Sequence, residues 1–181
     1  VAGFTATNLN FASQDTLYTA VSTELLTRPA NGSFTNTAGT LTLNAAGNGL
    51  SVYTFSGSIL PAINAFTING SSSATVVVNV TGTSASIQNK SFILGGGITA
   101  SHVLFNFPSA TTLTVSGIAL GGSILAPNAS MNFNNGSISG QGAVQTFSGN
   151  GQWNSAPFTG TLIVPAPGAA AVSLLAIGFA A

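Results

Sequence analysis

The chain has 181 residues, of which 45% are hydrophobic, and its formal net charge at pH 7 is zero. Only 2% of the residues are charged, against about 25% in an ordinary soluble domain. Two basic residues cannot neutralise a track of phosphates, which excludes a nucleic-acid partner. The absence of cysteine excludes disulfides and thiolate metal sites. Because charge repulsion normally keeps copies of a protein apart, we expect this chain to bind itself or another surface.

The first element in chain order is a helix at about residues 14–28. Apolar residues recur at the four-residue interval of one helix face: Leu17, Val21 and Leu25. Asp15 near its start and Arg28 near its end would complement the helix dipole, and Pro29 would stop it. The pattern predicts one amphipathic helix that lies against an apolar surface.

Short strands fill the rest of the chain up to about residue 154. Runs such as "ATVVVNVTGT" and "TTLTVSGIAL" are rich in Val, Ile, Thr and Phe and are bounded by Gly, Asn or Pro. No second helical pattern separates them, so the sequence predicts an all-β body. We divide the chain into a single β-rich domain at 1–163 and an apolar C-terminal tail at 164–181.

Turn chemistry leaves two all-β architectures open. Asn-Gly pairs such as those that begin at Asn31, Asn69 and Asn135 are hairpin signals and favour a β-sandwich. Short strands with small residues at the corners, as in "SILAPNASMNFNNGSISGQGAVQTF", favour a parallel β-solenoid instead. In a solenoid, internal asparagines could stack as ladders between coils: Asn79, Asn106 and Asn132. The pattern slightly favours the solenoid.

No group of residues predicts catalysis. Asp15 and Glu24 would stand about 13 Å apart along one helix, too far for a pair of glycosidase carboxylates. His102 lies beside apolar strand residues and is typical of a hydrogen-bonded structural histidine. We therefore expect no catalytic residue, no cofactor site and no metal site, and hence no enzyme.

Two sets of side chains are candidates for binding. Trp153, with Phe147 and Phe158 nearby, could stack on sugars, although a cluster that closes the last coil is the favoured interpretation. A flat face of regularly spaced threonines would suit ice. The candidate threonines follow no clean repeat in the sequence: Thr40, Thr42, Thr111, Thr112 and Thr114.

Several segments resemble a known family. "TVVVNVTGTSASI", "HVLFNFPSATTLTVSG", "LGGSILAPNASMNFNNGSISGQ" and "PFTG" resemble, in that order, the choice-of-anchor A family of bacterial surface proteins, and this chain corresponds to the second half of typical members. The resemblance implies a secreted or surface-displayed protein with no established enzymatic residues. The order of elements is also similar to the ice-binding-protein fold, which implies a right-handed β-solenoid with one flanking α-helix.

The tail "VPAPGAAAVSLLAIGFAA" resembles a PEP-CTERM sorting signal. Such a tail would touch a membrane only transiently, during sorting. A helix from Gly168 to Ala181 would span roughly 20 Å, less than the ~30 Å hydrocarbon core. If a neighbouring copy takes up the tail, the apolar residues expected at the contact between subunits are Leu174, Leu175, Ile177 and Phe179.

The sequence thus predicts a secreted bacterial structural protein. It would assemble with itself into an extracellular filament, sheath or matrix through apolar head-to-tail contacts. The alternative is a monomeric, surface-displayed adhesion or binding module for ice or an extracellular polysaccharide. A flat, regular Thr/Asn face would favour this alternative.

Overall fold

The computed structural model describes residues 11–162, with side chains from residue 14 onward. This part of the chain has one α-helix (α1, Phe11–Thr27), fourteen strands and two short 3-10 helices (Gly57–Ala62 and Ala100–His102). The strands are β1 Ser33–Thr37, β2 Thr40–Asn44, β3 Leu50–Ser56, β4 Ala65–Asn69, β5 Thr75–Thr81, β6 Ser84–Gln88, β7 Ser91–Gly95, β8 Val103–Asn106, β9 Thr112–Ser116, β10 Ala119–Gly121, β11 Ser123–Asn134, β12 Ser137–Ser139, β13 Gly142–Gly149 and β14 Gln152–Asn154.

The helix begins at Phe11, earlier than predicted, and ends at Thr27, shortly before Pro29. Asp15 therefore lies inside the helix, and the first turn carries no acidic residue. The predicted placement of Asp15 at the positive end of the dipole was wrong. Arg28 follows the last helical residue, and its guanidinium lies 3.2 Å from the Glu24 carboxylate one turn earlier.

The strands recur in a fixed order and form three stacks. The first stack contains β2, β4 and β7, with β1 at its edge, followed by β10, β12 and β14 as a separate sheet. The second stack contains β3, β5, β8 and the first part of β11. The third stack contains β6, β9 and the second part of β11. Strand β13 runs along both parts of β11.

Parallel pairing dominates this arrangement. Among the described strands only β1 and β2 pair in the antiparallel sense; every other pair is parallel. The all-β prediction is confirmed, and the strands follow a parallel pattern that hairpins would not give.

Apolar side chains from all three stacks form one core. Its largest fully buried members come from different strands and include Phe66, Phe105 and Phe133. Apolar residues that face the core align across neighbouring strands, as Val78 of β5 aligns with Phe105 of β8. Burying each such side chain contributes about 1.5–3 kcal/mol, and these contacts provide the main cohesion of a chain that has no disulfide.

A second apolar cluster attaches α1 to the outer side of the second stack. The helix contributes Leu25, with Tyr18 and Val21 beside it. These side chains pack on outward-facing residues of four strands: Val52, Val77, Leu104 and Leu125. Val21 and Leu25 of the predicted stripe pack here, whereas Leu17 does not belong to this cluster. The outer side of this stack is covered by the helix.

A buried amide ladder lies beneath the same helix. Asn106 donates from Nδ2 to the Asn79 side-chain oxygen (2.8 Å) and to the Ser22 carbonyl (2.9 Å). The Ser22 hydroxyl donates in return to the Asn106 side-chain oxygen (2.6 Å). Asn79 donates to the carbonyl of Leu25 (2.9 Å). The predicted stacking holds for Asn79 and Asn106, whereas Asn132 lies in the third stack, away from this ladder.

We expect Asn106→Ala to lower the free energy of unfolding by about 2–4 kcal/mol, because it leaves the Ser22 hydroxyl and the Asn79 amide oxygen buried without partners. Chemical denaturation measures this change. Asn132→Ala is the matched control: its hydrogen bond to Ser148 is exposed, so it should change stability by no more than about 0.5 kcal/mol. Equal effects of the two substitutions would contradict a structural role for the ladder.

A buried tyrosine makes stability depend on high pH. Tyr53 is 1% exposed, and its hydroxyl has no hydrogen-bond partner among the described residues. Burial raises the pKa of Tyr53 from 10.0 to about 12. The folded state therefore favours the neutral phenol. The contribution of Tyr53 to the free energy of unfolding is constant below pH 10 and falls as the pH rises towards 12.

We expect Tyr53→Phe to reduce the loss of stability between these pH values, and to be neutral or stabilising by about 1 kcal/mol near pH 7, because it removes an unpaired buried hydroxyl. Denaturation curves at a series of pH values measure both effects. The pKa of Tyr18 is also raised by burial, so part of the loss should persist. An unchanged pH profile in the variant would overturn the assignment.

Candidate binding surface

The outward side of the third stack is a regular array of short polar side chains, here called the polar face. Its register joins β6 to β9, β9 to β11 and β11 to β13 without interruption. The first row is Ser84, Thr112, Ser130 and Thr146, and the second is Ser86, Thr114, Asn132 and Ser148. A third row contains Gln88, Ser116 and Asn134.

The strands themselves fix the spacing of this array. Neighbouring strands lie about 4.8 Å apart, and residues two apart on one strand are roughly 6.6–6.8 Å apart. Alternate residues of the same strands point into the core, such as Leu113, Val115 and Met131. The positions of the outward side chains are therefore set by a packed and hydrogen-bonded backbone before any ligand arrives.

Hydrogen bonds order part of the polar face. Asn132 donates to the hydroxyl of Ser148 (3.1 Å), and Asn134 donates to the Asn132 side-chain oxygen. At the opposite side of the face, the Ser116 hydroxyl donates to Gln88 (3.3 Å). Among the described residues, no hydrogen bond is seen for the side chains of the central threonines, Thr112 and Thr114. The middle of the face therefore offers hydroxyl groups to a ligand.

No charged side chain belongs to the polar face. Asp15, Glu24 and Arg28 lie on or next to α1, which covers a different stack. Lys90 is 9% exposed and donates from Nζ to the carbonyl of Ile63. Burial lowers the pKa of its ammonium group. Any ligand of the polar face must therefore be held by neutral hydrogen bonds and van der Waals contact.

The first stack presents a less uniform outer surface. Thr35, Thr42 and Thr67 share one row across β1, β2 and β4. The same row continues into Ile93, which is 55% exposed. The neighbouring row combines Thr and Ser with Ala65. The polar face is the more regular of the two exposed surfaces.

The candidate catalytic residues are not brought together. Glu24 pairs with Arg28, and His102 Nδ1 lies 3.4 Å from the Thr99 hydroxyl. Within residues 11–162, no group of His, Cys, Asp and Glu side chains could hold a metal ion. The helix in this range is not long and apolar enough to cross a membrane.

The three predicted aromatic residues do not form one platform. Trp153 contacts Phe147 (ring centroids 5.7 Å apart) and Phe133 (6.2 Å) edge to face, and its indole nitrogen donates to the carbonyl of Gly140 (2.8 Å). Phe158 packs instead with the cluster under α1. The favoured interpretation of Trp153 and Phe147 as a cluster closing the last coil agrees with these contacts.

A small apolar cavity of about 60 Å³ lies between α1 and the second stack. Its lining includes Tyr18, Val21, Leu104, Phe158 and Leu162. Because few polar groups line it, it offers little chemistry beyond apolar contact. The predicted contact residues of the tail lie outside the described residues: Leu174, Leu175, Ile177 and Phe179.

Sequence reasoning named Thr112 and Thr114 but missed the array to which they belong. Along the chain, 28 residues separate Gln88 from its row partner Ser116, whereas only 16 separate Asn132 from Ser148. Loops of different length hide the repeat, and Ser and Asn replace Thr at equivalent positions. The alternation in "TTLTVS" and "ASMNFN" was the one available signal.

The fold and this surface define a class: an all-β protein whose parallel strands present an uncharged face of hydroxyl and amide groups. Residues 2–155 match the family model described as "Putative Ice-binding-like adhesive domain". The chain belongs to this family. None of the curated proteins matches it.

Proposed function

We propose that this protein is a non-catalytic adhesion or binding module of the bacterial cell surface. Its polar face would bind an uncharged, repeating surface that carries hydroxyl groups, such as ice or a neutral polysaccharide. The observation that carries this proposal is the register of four strands that aligns Ser, Thr and Asn side chains in rows.

The physical argument rests on rigidity and number. A single neutral hydrogen bond contributes only about 0.5–1.5 kcal/mol, so one hydroxyl cannot hold a ligand. Side chains as short as Ser and Thr lose little rotamer freedom on binding, and the backbone beneath them is already ordered. Many weak contacts made at once to a periodic ligand can then add up to firm attachment.

Membership of the family supports this function, because its description names an ice-binding-like and adhesive domain. The resemblance to choice-of-anchor A proteins agrees with display on a bacterial surface. The resemblance of residues 164–181 to a PEP-CTERM signal is a separate prediction about sorting.

We also propose that the three stacks are the faces of a right-handed β-solenoid with α1 on one side. The support is the strand order: each strand pairs in parallel with the corresponding strand of the next circuit, as β3 pairs with β5 and β5 with β8. The similarity to the ice-binding-protein fold suggests the handedness.

The filament, sheath or matrix subunit predicted from composition is the second candidate. The near absence of charge favours it, but no contact among the described residues carries it. Negative-stain electron microscopy of the full chain and of a variant ending at Pro165 tests it. Filaments from the full chain alone would favour tail-dependent assembly, and dispersed particles from both would exclude it.

We expect Thr114→Tyr to weaken binding at least tenfold, because a bulky ring in the centre of the polar face prevents flat contact. Partitioning into growing ice and co-sedimentation with cellulose and with chitin particles measure it. Thr67→Tyr is the matched control, since Thr67 is equally outward-facing and central on the first stack. Equal losses in both variants, or no binding of the wild type to any probe, would contradict the proposal.

Binding should change little between low and high salt, because no ion pair takes part and only charged contacts are screened. The same sedimentation assay at two ionic strengths checks this. A steep fall in affinity as salt rises would show that charges elsewhere, such as those next to α1, hold the ligand.

A further inference from the structure

The two ends of the strand stacks differ in how they are closed. At the first end, the side chain of Asn31 occupies backbone hydrogen-bonding groups at the edge of β3. Its Nδ2 donates to the Leu50 carbonyl (2.9 Å), and its Oδ1 accepts from the Val52 amide (2.7 Å). Strand β1 covers the edge of β2 in the antiparallel sense. The 3-10 helix Gly57–Ala62 packs against β6. Strands β3 and β6 are therefore covered at this end, whereas β1 itself pairs with β2 alone among the described residues.

At the second end, β13 leaves one edge unpaired among the described residues. It pairs with β11 alone, and every residue of its second half is exposed. Phe147 faces the core side of the stack but is 50% exposed, whereas its register partner Met131 is 1% exposed. The apolar core therefore ends in an open edge, with Phe147 resting on Trp153.

This edge carries none of the usual protections. The strand "GAVQTFSG" contains no charged residue and no proline, although both commonly block edge strands. The described chain also turns away from it. The amides of Thr159 and Gly160 donate to the carbonyl of Ser101, and the Thr161 amide donates to the hydroxyl of Thr75. The segment up to residue 162 thus runs back along the earlier strands.

We propose that the exposed half of β13, residues 145–149 and here called the open end, is an interface with a second copy of this chain. The two β13 strands would pair antiparallel about a two-fold axis. An uncharged strand is complementary to itself, because antiparallel pairing needs only the backbone groups that both copies present. The two Phe147 rings would meet beneath the joined sheet and shield each other from water.

The joined sheet would also carry the two polar faces on one side. In an antiparallel pair related by an axis perpendicular to the sheet, outward residues stay outward. Thr146 and Ser148 of each copy would then continue the rows of the other. The contact closes after two copies and produces no filament, and it stands whatever the polar face binds.

Sedimentation velocity of the full chain over a range of concentrations tests this interface. We expect a monomer–dimer equilibrium that Phe147→Ser weakens at least tenfold. Phe34→Ser is the matched control, since Phe34 is 46% exposed on β1 at the opposite end of the stacks, away from β13, and it should leave the equilibrium unchanged. Circular dichroism confirms that both variants keep the fold.

A second pair of variants tests the geometry. Ser148→Lys places two like charges close to the axis and should weaken the dimer, with recovery at high salt. Ser86→Lys puts the same charge in the same row at the far side of the polar face and should have no effect.

Four results would overturn the proposal. A full chain that is monomeric at every concentration would do so, as would equal effects of Phe147→Ser and Phe34→Ser. A full chain that is monomeric beside a dimeric variant ending at Leu162 would show that the chain's own C-terminal residues cover the open end. Indefinite assemblies that survive Phe147→Ser would show that copies meet elsewhere.

Discussion

The parallel backbone ladder is the constraint on which the rest of this structure depends. The described residues contain a single ion pair, Arg28 with Glu24, and the chain has no disulfide to hold distant segments together. Cohesion comes instead from strand hydrogen bonds and from apolar rows packed between the stacks. Because register decides which side of a strand faces inward, one set of pairings places both the core and the outer rows.

The outer sides of the second and third stacks are built on the same kind of backbone ladder, but one is buried and the other is exposed. Beneath α1, Asn79 and Asn106 are fully buried, and every contact that they make joins the helix or a neighbouring strand. On the polar face, Asn132 occupies a similar place in its strand but remains exposed. The difference follows from the neighbours: Leu25 and Val21 cover one surface, and nothing among the described residues covers the other.

Local pattern was sufficient to predict the helix, the short strands and the all-β body, because these depend on the spacing of apolar residues. Register was not predictable from the sequence. The rows that contain Thr112 and Thr114 become visible only when loops of unequal length bring β6, β9, β11 and β13 side by side. The error at Asp15 was also local, since the apolar spacing that predicted the helix begins only at Leu17.

The polar face and the exposed edge of β13 share one property, which is the absence of charged residues. A charged face would select ligands over a distance and would repel a second copy, whereas an uncharged face acts only on contact and depends on matching shape and spacing. Thr114 and its neighbours can therefore discriminate between surfaces only through geometry. The same lack of charge leaves β13 without a charged residue that would oppose pairing, so the proposed binding surface and the proposed association of copies rest on one property of the sequence.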